Sequence, residues 1–412
     1  MHSEIQKVNV FCGAQNLECK CVSKRWCSII SDPEFHCIYL SRQRHFFKKL
    51  QDEGQELDQE VFIMGPYNVL VIVPKGPSLA YGSLKHDLSL SFQRQDSIPT
   101  DKIPVIPWMN ASMGFVFASS NGLLLCGKLG PEYKYKFSIW NPLTRHHVEL
   151  PLTQTSCGSP KVAVGFMCNH DENVFVSSPK LRFSMVCFAA FFDTRFSFQV
   201  EVFCSETWQW TKRVVSCPSG VSFSLDYHTT LGVFHDGKLY FKGENKLLVY
   251  DPCKNDGVAS VINFPWEYGN SDKRCMGVSC GSLRIGEFPT PWNRHRYVRD
   301  FSGRIWELVV HRDGEEEEAA SSSRWRLVYE FNLADIMKQH LHYGIIMGFH
   351  PQDEAIVFIN FGQQILCLNL LTHSFKLTHH CHETLGSYFP VTPLLLPCWP
   401  TRIPSSSLDH SL

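Results

Sequence analysis

The segment Gly277-Val278-Ser279-Cys280-Gly281 matches the G-x-S-x-G pattern with which hydrolases present an activated serine. That chemistry requires a sharp turn from a strand into a helix, with the serine at the turn. The residues that follow, SLRIGEF, have the alternation of a strand rather than the spacing of a helix. We therefore interpret the segment as a glycine-rich hairpin turn and expect no nucleophile at Ser279.

Metal binding is the second function that the residue types suggest. The run His379 to His382 (HHCH) combines imidazole and thiol groups, and three cysteines cluster between residues 19 and 27. Neither group has the paired C-x-x-C spacing of a structural zinc site, and alternation along a strand leaves only His380 and His382 on one face. Phosphate-binding and dinucleotide-binding fingerprints are also lacking. We expect a non-enzymatic chain without a metal or cofactor.

An apolar helical face near the N-terminus indicates binding rather than catalysis. Residues 17–30 carry apolar side chains at helical spacing, and Asp32-Pro33 supply the start of a second short helix. Helices this short are marginal without packing, so the face requires a surface to bury against. We expect that surface to belong to a partner; packing on the rest of the chain is the alternative. The candidate partner-binding residues are Leu17, Cys21, Val22, Lys24, Arg25, Trp26, Ile29 and Ile30.

The charge distribution and the cysteine content limit the kinds of partner and of cellular location that this chain can have. The 412 residues are 44% hydrophobic with a net charge of −1, which gives no general case for nucleic acid or a membrane surface. Residues 1–50 carry eight basic and four acidic residues, so this end is +4 and residues 51–412 sum to −5. The basic end favours an acidic partner. Seventeen cysteines without a secretory signal or a transmembrane run predict reduced thiols and a cytoplasmic and/or nuclear location.

From about residue 58 the hydrophobic period changes from 3.6 to 2. Runs such as EVFIM, NVLVIV, KFSIW, QVEVF, KLYFK and QILCLNL are separated by Gly, Pro, Asn and Asp turn signals. FNLADIMKQHL, residues 331–341, is the main helical candidate. Many short strands without crossover helices indicate an all-β sandwich, barrel or propeller.

A recurring unit of strand, turn and strand selects the propeller. It reads FSIWNPLTRHHVEL, VEVFCSETWQWTKRV, LLVYDPCKNDGVASVINF and LCLNLLTHSFKLTHH. Anchored on Thr144, Thr207, Lys254 and Thr372, the copies are 63, 47 and 118 residues apart, and the last spacing is twice 59. We therefore expect a skipped copy around RIWELVV. A period near 50 is typical of four-stranded blades, and we predict about six of them.

Two sets of phrases resemble a known family. LECKCVSKRWCSIISDPEF, residues 17–35, resembles the second half of an F-box, and SSNGLLLCGK, IWNPLTRHHVELP, VEVFCSETWQW, GVFHDGKLYF, VYDP and SGRIWEL resemble plant F-box-associated, kelch-like β-propellers. An F-box begins with a Leu-Pro-led segment and a first helix, whereas sixteen unrelated residues precede Leu17, so an N-terminally truncated F-box is expected. The body also departs from the family pattern, with neither the Gly-Gly pair of strict kelch repeats nor a Trp-Asp pair.

The resemblance implies a mainly β chain in which a helical F-box remnant (1–50) precedes a kelch-like β-propeller (58–400) and a disordered tail (401–412). It also implies a substrate-recognition subunit of an SCF-type (Skp-cullin-F-box) E3 ubiquitin ligase. The N-terminal helices would bind a Skp-type adaptor, and through it a cullin, while the propeller would bind an unknown target protein. Interface anchors favour Trp and Tyr, so candidate target contacts are Trp108, Trp266, Trp292 and Tyr297; packing of most of them in the core is the favoured alternative.

Two other function classes stay open at this point. One is a stand-alone propeller that binds proteins or glycans and carries a non-functional F-box. The other is a propeller hydrolase that uses Ser279, which ester hydrolysis by a Ser279→Ala variant would test. Nothing in the sequence identifies the target, because propeller loops change without disturbing the blades.

Overall fold

The computed structural model of the chain describes most of a β-propeller. The described residues are 59–64, 69–74, 115–130, 134–141, 146–153, 162–169, 182–223, 229–254, 256–265, 274–287, 302–309, 325–333, 344–351, 353–361, 364–380, 392–395 and 403. Within these ranges the regular secondary structure consists of strands alone, twenty-three in number. The helical region expected at 1–50 lies outside the described residues.

Five blades are four-stranded antiparallel units, numbered here in chain order. Blade 1 consists of β3 (Phe115–Ser120), β4 (Leu123–Leu129), β5 (Tyr135–Asn141) and β6 (His146–Glu149). Blade 2 consists of β7 (Val162–Asn169), β8 (Arg182–Ala189), β9 (Arg195–Cys204) and β10 (Gln209–Val221). Blade 3 consists of β11 (Thr229–His235), β12 (Lys238–Lys242), β13 (Lys246–Tyr250) and β14 (Ser260–Asn263).

The two later blades repeat this order. Blade 4 consists of β15 (Arg274–Ser279), β16 (Ser282–Glu287), β17 (Ser302–Leu308) and β18 (Trp325–Asn332). Blade 5 consists of β19 (Gly344–Phe349), β20 (Ile356–Phe361), β21 (Gln364–Asn369) and β22 (Ser374–His380).

The sixth blade joins the two ends of the body. β1 (Gln59–Met64) pairs antiparallel with β2 (Val69–Pro74), and β2 pairs in parallel with β23 (Thr392–Leu395). β23 contacts the first strands of blades 1 and 5, β3 and β19. The first strands therefore form a closed ring in the order β23, β3, β7, β11, β15 and β19, and the prediction of a propeller with about six blades is confirmed.

The recurring sequence unit is the outer hairpin of a blade. Its four copies fold as the third and fourth strands of blades 1, 2, 3 and 5. The skipped copy expected around RIWELVV is β17 paired with β18 in blade 4. The repeated outer hairpin marks each blade in the sequence, because its turn and its alternation fix the register of the two strands.

Aromatic and aliphatic side chains fill the spaces between neighbouring blades. Between blades 1 and 2, the Trp210 ring of blade 2 lies 6.4 Å from the Phe137 ring of blade 1 between centroids. The indole of Trp210 also donates a hydrogen bond to the Pro151 carbonyl of blade 1 at 2.7 Å. Packing between blades therefore stabilises the ring, since a single sheet cannot bury both of its faces alone.

Blades 2 and 3 approach more closely than the others and form one eight-stranded sheet. Their first strands, β7 and β11, pair in parallel and bring Gly165 opposite Gly232. The buried ring of Phe241 occupies the space over both glycines, where a Cβ atom on Gly232 would lie 2.6 Å from Cε1 of the ring. The missing side chains therefore make room for the Phe241 ring on this face of the joined sheet.

The helix predicted at 331–341 is wrong at its start. Phe331 and Asn332 end β18, where they pair with Gly303 and Ser302 of β17, and the Phe331 ring is buried in the core between blades 4 and 5. Tertiary packing overrides the helical spacing here. Residues 334–341 lie outside the described residues. A membrane-spanning helix, long and apolar enough to cross a bilayer, is not found in the described ranges.

Candidate interaction surfaces

The binding residues predicted from the sequence lie outside the described part of the chain. This holds for all eight candidates between Leu17 and Ile30, and also for the four aromatic target-contact candidates Trp108, Trp266, Trp292 and Tyr297. Their assignments stay predictions. Other candidate sites lie on the described part of the chain.

Ser279 is part of a tight hairpin and not of a nucleophile elbow. Cys280 and Gly281 form a two-residue turn with φ values of 49° and 78°, and β16 begins directly at Ser282. Ser279 is 1% exposed, and its hydroxyl donates a hydrogen bond to the His350 carbonyl of blade 5 at 2.7 Å. The predicted glycine-rich hairpin is confirmed, and the serine hydroxyl serves to join two blades.

His350 lies beneath that hairpin and is buried. Burial lowers the pKa of its imidazole to about 4, against an opposing effect of Asp353. The side chain is therefore neutral near pH 7. The Cys280 amide, which donates to the Pro351 carbonyl at 2.8 Å, adds a second bond between the hairpin and blade 5.

Arg284 is the centre of a buried ion network between blades 4 and 5. Its guanidinium is 3% exposed and pairs with Glu307 of its own blade at 2.9 Å and with Glu354 of blade 5 at 3.1 Å. Arg326 pairs with the other oxygen of Glu307 at 2.6 Å. Burial alone raises the pKa of Glu307, but the hydrogen bonds from the two arginines outweigh it and hold that pKa below its usual value. Glu307 is thus a carboxylate with a structural role.

A metal cluster is not found in the described ranges, and the buried Cys275 is not suited to thiol chemistry. These ranges contain no group of three or more His, Cys, Asp or Glu residues placed to hold a metal ion. Of the HHCH run, His379 and His380 lie at the end of β22, and the other two residues are outside the described part. Burial raises the pKa of Cys275 to about 12, which leaves it protonated and a poor nucleophile.

Residues 190–196, which are the turn after β8 and the first two residues of β9, present two phenylalanines to solvent. Phe192 is 67% exposed and Phe196 is 60% exposed. Phe191, which directly precedes Phe192, is buried. Because the strands of a blade alternate in direction, this turn lies on the face of the propeller that carries the blade-to-blade connections. We name residues 190–196 the blade-2 aromatic turn; it is the best-defined exposed apolar feature among the described turns.

Sequence reasoning missed this turn. The signal is FFDTRF, in which a polar Asp-Thr pair marks a turn and three aromatic residues surround it. Alternation assigns all three to strands, and only the contacts of the folded blade distinguish the buried Phe191 from its exposed neighbours.

Comparison with known proteins identifies the fold family. The family model described as "F-box protein At3g26010-like, beta-propeller" matches residues 98–390. The F-box/kelch-repeat protein At1g15680 of Arabidopsis thaliana is 25% identical over 278 residues, which cover 64% of this chain and 60% of that protein. The F-box protein At5g03970 of Arabidopsis thaliana is 23% identical over 327 residues, 77% of this chain and 66% of that protein. The chain thus spans just under two thirds of the length of these relatives.

Solved structures with a similar arrangement include the SapL1 lectin in complex with alpha methyl fucoside (10% identity, 65% of this chain and 79% of that chain, TM-score 0.33). Another is a chain of the Mitotic Checkpoint Complex (11% identity, 65% of this chain and 64% of that chain, TM-score 0.31). Likenesses at these TM-scores carry no argument about function. The family match covers most of the chain and agrees with the observed blades, and no catalytic activity is indicated by it or by the relatives. The chain belongs to the family of F-box protein At3g26010-like β-propellers.

Proposed function

We propose that this chain is the substrate-recognition subunit of an SCF-type E3 ubiquitin ligase. The observation that carries the proposal is the match of residues 98–390 to a propeller family of F-box proteins, together with two relatives named as F-box proteins. In this reading, residues 1–50 are a partial F-box region and residues 58–400 are the receptor domain.

The residues of the head support an adaptor-binding role. The apolar set with Trp26 as anchor, flanked by Lys24 and Arg25, fits a partner that offers an apolar groove with acidic rims. The partner is a Skp-type adaptor and, through it, a cullin. The target is a protein held by the propeller, and a cytoplasmic and/or nuclear location is part of the proposal.

The mechanism is proximity. A receptor that holds the target near a ubiquitin-charged enzyme raises the effective concentration of the target's lysines, so that no side chain of the receptor takes part in the chemistry. The closed ring suits this role, because blades fixed to one another by contacts such as that of the buried Arg284 with Glu354 hold a bound target in a defined position.

Co-purification of the full chain with a Skp-type adaptor tests the proposal. Wild type should retain the adaptor on a column, Trp26→Ala should lose it, and Lys7→Ala, outside the apolar face, should retain it. Circular dichroism of each variant checks that the β fold is intact. A folded wild-type chain that fails to bind, or a Trp26→Ala variant that binds as well as wild type, would overturn the adaptor assignment.

A further inference from the structure

The blade-2 aromatic turn is held rigidly at its base. The Phe223 amide donates a hydrogen bond to the Phe191 carbonyl at 2.8 Å, which ties the turn to the residues that follow β10. The buried Phe191 ring packs against Phe198 and Phe223, each at 5.2 Å between centroids. Side chains on a fixed backbone lose little conformational entropy on binding, which is a property of interface anchors.

The exposed rings are supported from below. The Phe196 ring lies against Gly220 of β10, where a Cβ atom would come within 3.0 Å of it. Arg195 extends over the Phe191 ring, with its guanidinium carbon 4.8 Å from the centroid. Phe196 therefore rests on the neighbouring strand, and Phe192 is the more exposed of the two rings.

The charged groups around the turn each have a polar partner, and Asp193 and Arg195 pair with each other. Arg195 donates from Nε to both carboxylate oxygens of Asp193 at 3.1 Å, and this hydrogen bond holds the pKa of that carboxyl below its usual value. On the neighbouring blade, Lys246 donates to the Ser219 carbonyl at 2.7 Å, and Glu244 accepts from the Ser222 hydroxyl at 3.2 Å. The surface is neutral at its centre, so its complement is an uncharged apolar group.

The size of the surface decides between kinds of occupant. A phenylalanine side chain offers about 150–250 Å² in all, so the exposed fractions amount to roughly 100–150 Å² each. A stable interface between folded proteins needs about 800 Å² from each partner. Among the described residues, these two rings alone do not provide the area for a dimer of this chain or for a globular domain. They suit one or two apolar side chains of an extended peptide.

We propose that the blade-2 aromatic turn binds a short apolar segment of the target polypeptide, with Phe192 and Phe196 as the contact residues. The proposal rests on the proposed receptor function, because it names the surface by which the propeller holds its target. Peptide binding at the turn and adaptor binding by the N-terminal head are measured in separate assays, so a failure of one is distinguished from a failure of the other.

Random peptides displayed on phage, selected against the full chain, test the inference. Enriched peptides should share aromatic or aliphatic residues, and the synthetic peptides should bind about tenfold more weakly to Phe192→Ser/Phe196→Ser than to wild type. Leu371→Ser is the matched control, because Leu371 is 68% exposed in the turn between β21 and β22 on the opposite face, and binding should stay within about twofold of wild type.

Three further readouts keep the test decisive. Phe192→Ser alone, which leaves Phe196 on Gly220, should lower the affinity while the urea midpoint of unfolding is unchanged. Adaptor co-purification by the double variant should equal wild type, which separates this inference from the proposed function. Enriched peptides that bind the double variant as well as wild type, an absence of enrichment, or self-association of wild type that the double variant abolishes in sedimentation would each overturn the inference.

Discussion

Arg284 donates two hydrogen bonds to one oxygen of Glu307, from Nε at 3.1 Å and from Nη2 at 2.9 Å. The same guanidinium donates from Nη1 to the Glu354 carbonyl at 3.0 Å in the next blade. With the further bond from Nη2 to the Glu354 carboxylate at 3.1 Å, each of the three guanidinium nitrogens donates to an acceptor. A charge buried in this way is stabilising only as long as its partners are present.

Replacing Arg284 by methionine should lower the free energy of unfolding by about 3–5 kcal/mol, because Glu307 then remains largely buried with only Arg326 as its partner. Urea denaturation followed by tryptophan fluorescence measures the change. Arg304→Met is the control, since its pair with Glu330 is 41% and 55% exposed and should contribute under about 1 kcal/mol. Equal losses in the two variants would contradict the structural role of the network.

His350 should make the propeller less stable in mild acid. Its folded pKa of about 4 lies below the ordinary value of 6.5, so the unfolded chain binds the proton more readily. The folded state is then disfavoured as the pH falls from about 6.5 towards 4, by about 2 kcal/mol at pH 5. Protonation of Glu307 also destabilises the folded state as the pH falls, but this takes place below the pKa of Glu307 in the unfolded chain. The pH range from 5 to 7 therefore isolates the effect of His350.

The measurement is the dependence of unfolding free energy on pH in wild type and His350→Gln. The slope between pH 7 and 5 should be smaller in the variant, whatever the substitution does to absolute stability. His235→Gln serves for comparison, because burial also lowers the pKa of the half-buried His235. Identical slopes for wild type and His350→Gln would disprove the assignment.

Local patterns explain why the blades could be predicted from the sequence. The turns of the recurring unit are closed by short-range contacts: the Asp251 carboxylate accepts from the Cys253 amide at 2.9 Å, and Asn369 accepts from the Leu371 amide at 3.0 Å. Such turns need only neighbouring residues. The copy in blade 4 was harder to recognise, because sixteen residues separate Leu308 from Trp325 and hide the repeat.

The polar network and the aromatic turn could not be predicted in the same way. Arg284 and Glu354 are 70 residues apart and meet only because two blades pack at a particular register. Phe191 and Phe192 are adjacent and identical in type, yet one is buried and the other is exposed. Periodicity assigns faces to strands, but at a turn it gives no information about which ring reaches the core.

Deleting residues 392–412 should open the ring. The deletion removes β23, whose four residues pair with β2 and lie between β3 and β19. At about 1 kcal/mol for each paired residue, we expect a loss of about 4 kcal/mol and a broader thermal transition. Deleting only 404–412, beyond Ile403 in the core between blades 1 and 2, is the control and should leave the transition in place. Calorimetry distinguishes these results. If the variant lacking 392–412 unfolded at the same temperature and as sharply as the full chain, closure of the ring by β23 would be refuted.

Gly232→Ala should destabilise the junction of blades 2 and 3 by about 1–3 kcal/mol, because the new methyl group would overlap the Phe241 ring. Gly237→Asn is the control: Gly237 has φ 73° and open space around it, and asparagine tolerates that conformation, so the change should stay under about 1 kcal/mol.

The cause is tested by combining Gly232→Ala with Phe241→Leu. If the alanine clashes with the ring, the smaller leucine removes part of the overlap, and the double variant should be more stable than the sum of the single losses by about 1 kcal/mol. Additive losses would mean that Gly232 is required for another reason, such as the parallel pairing of Gly232 with Gly165. Positive coupling would establish that Phe241 and Gly232 form one packing unit at the junction of blades 2 and 3.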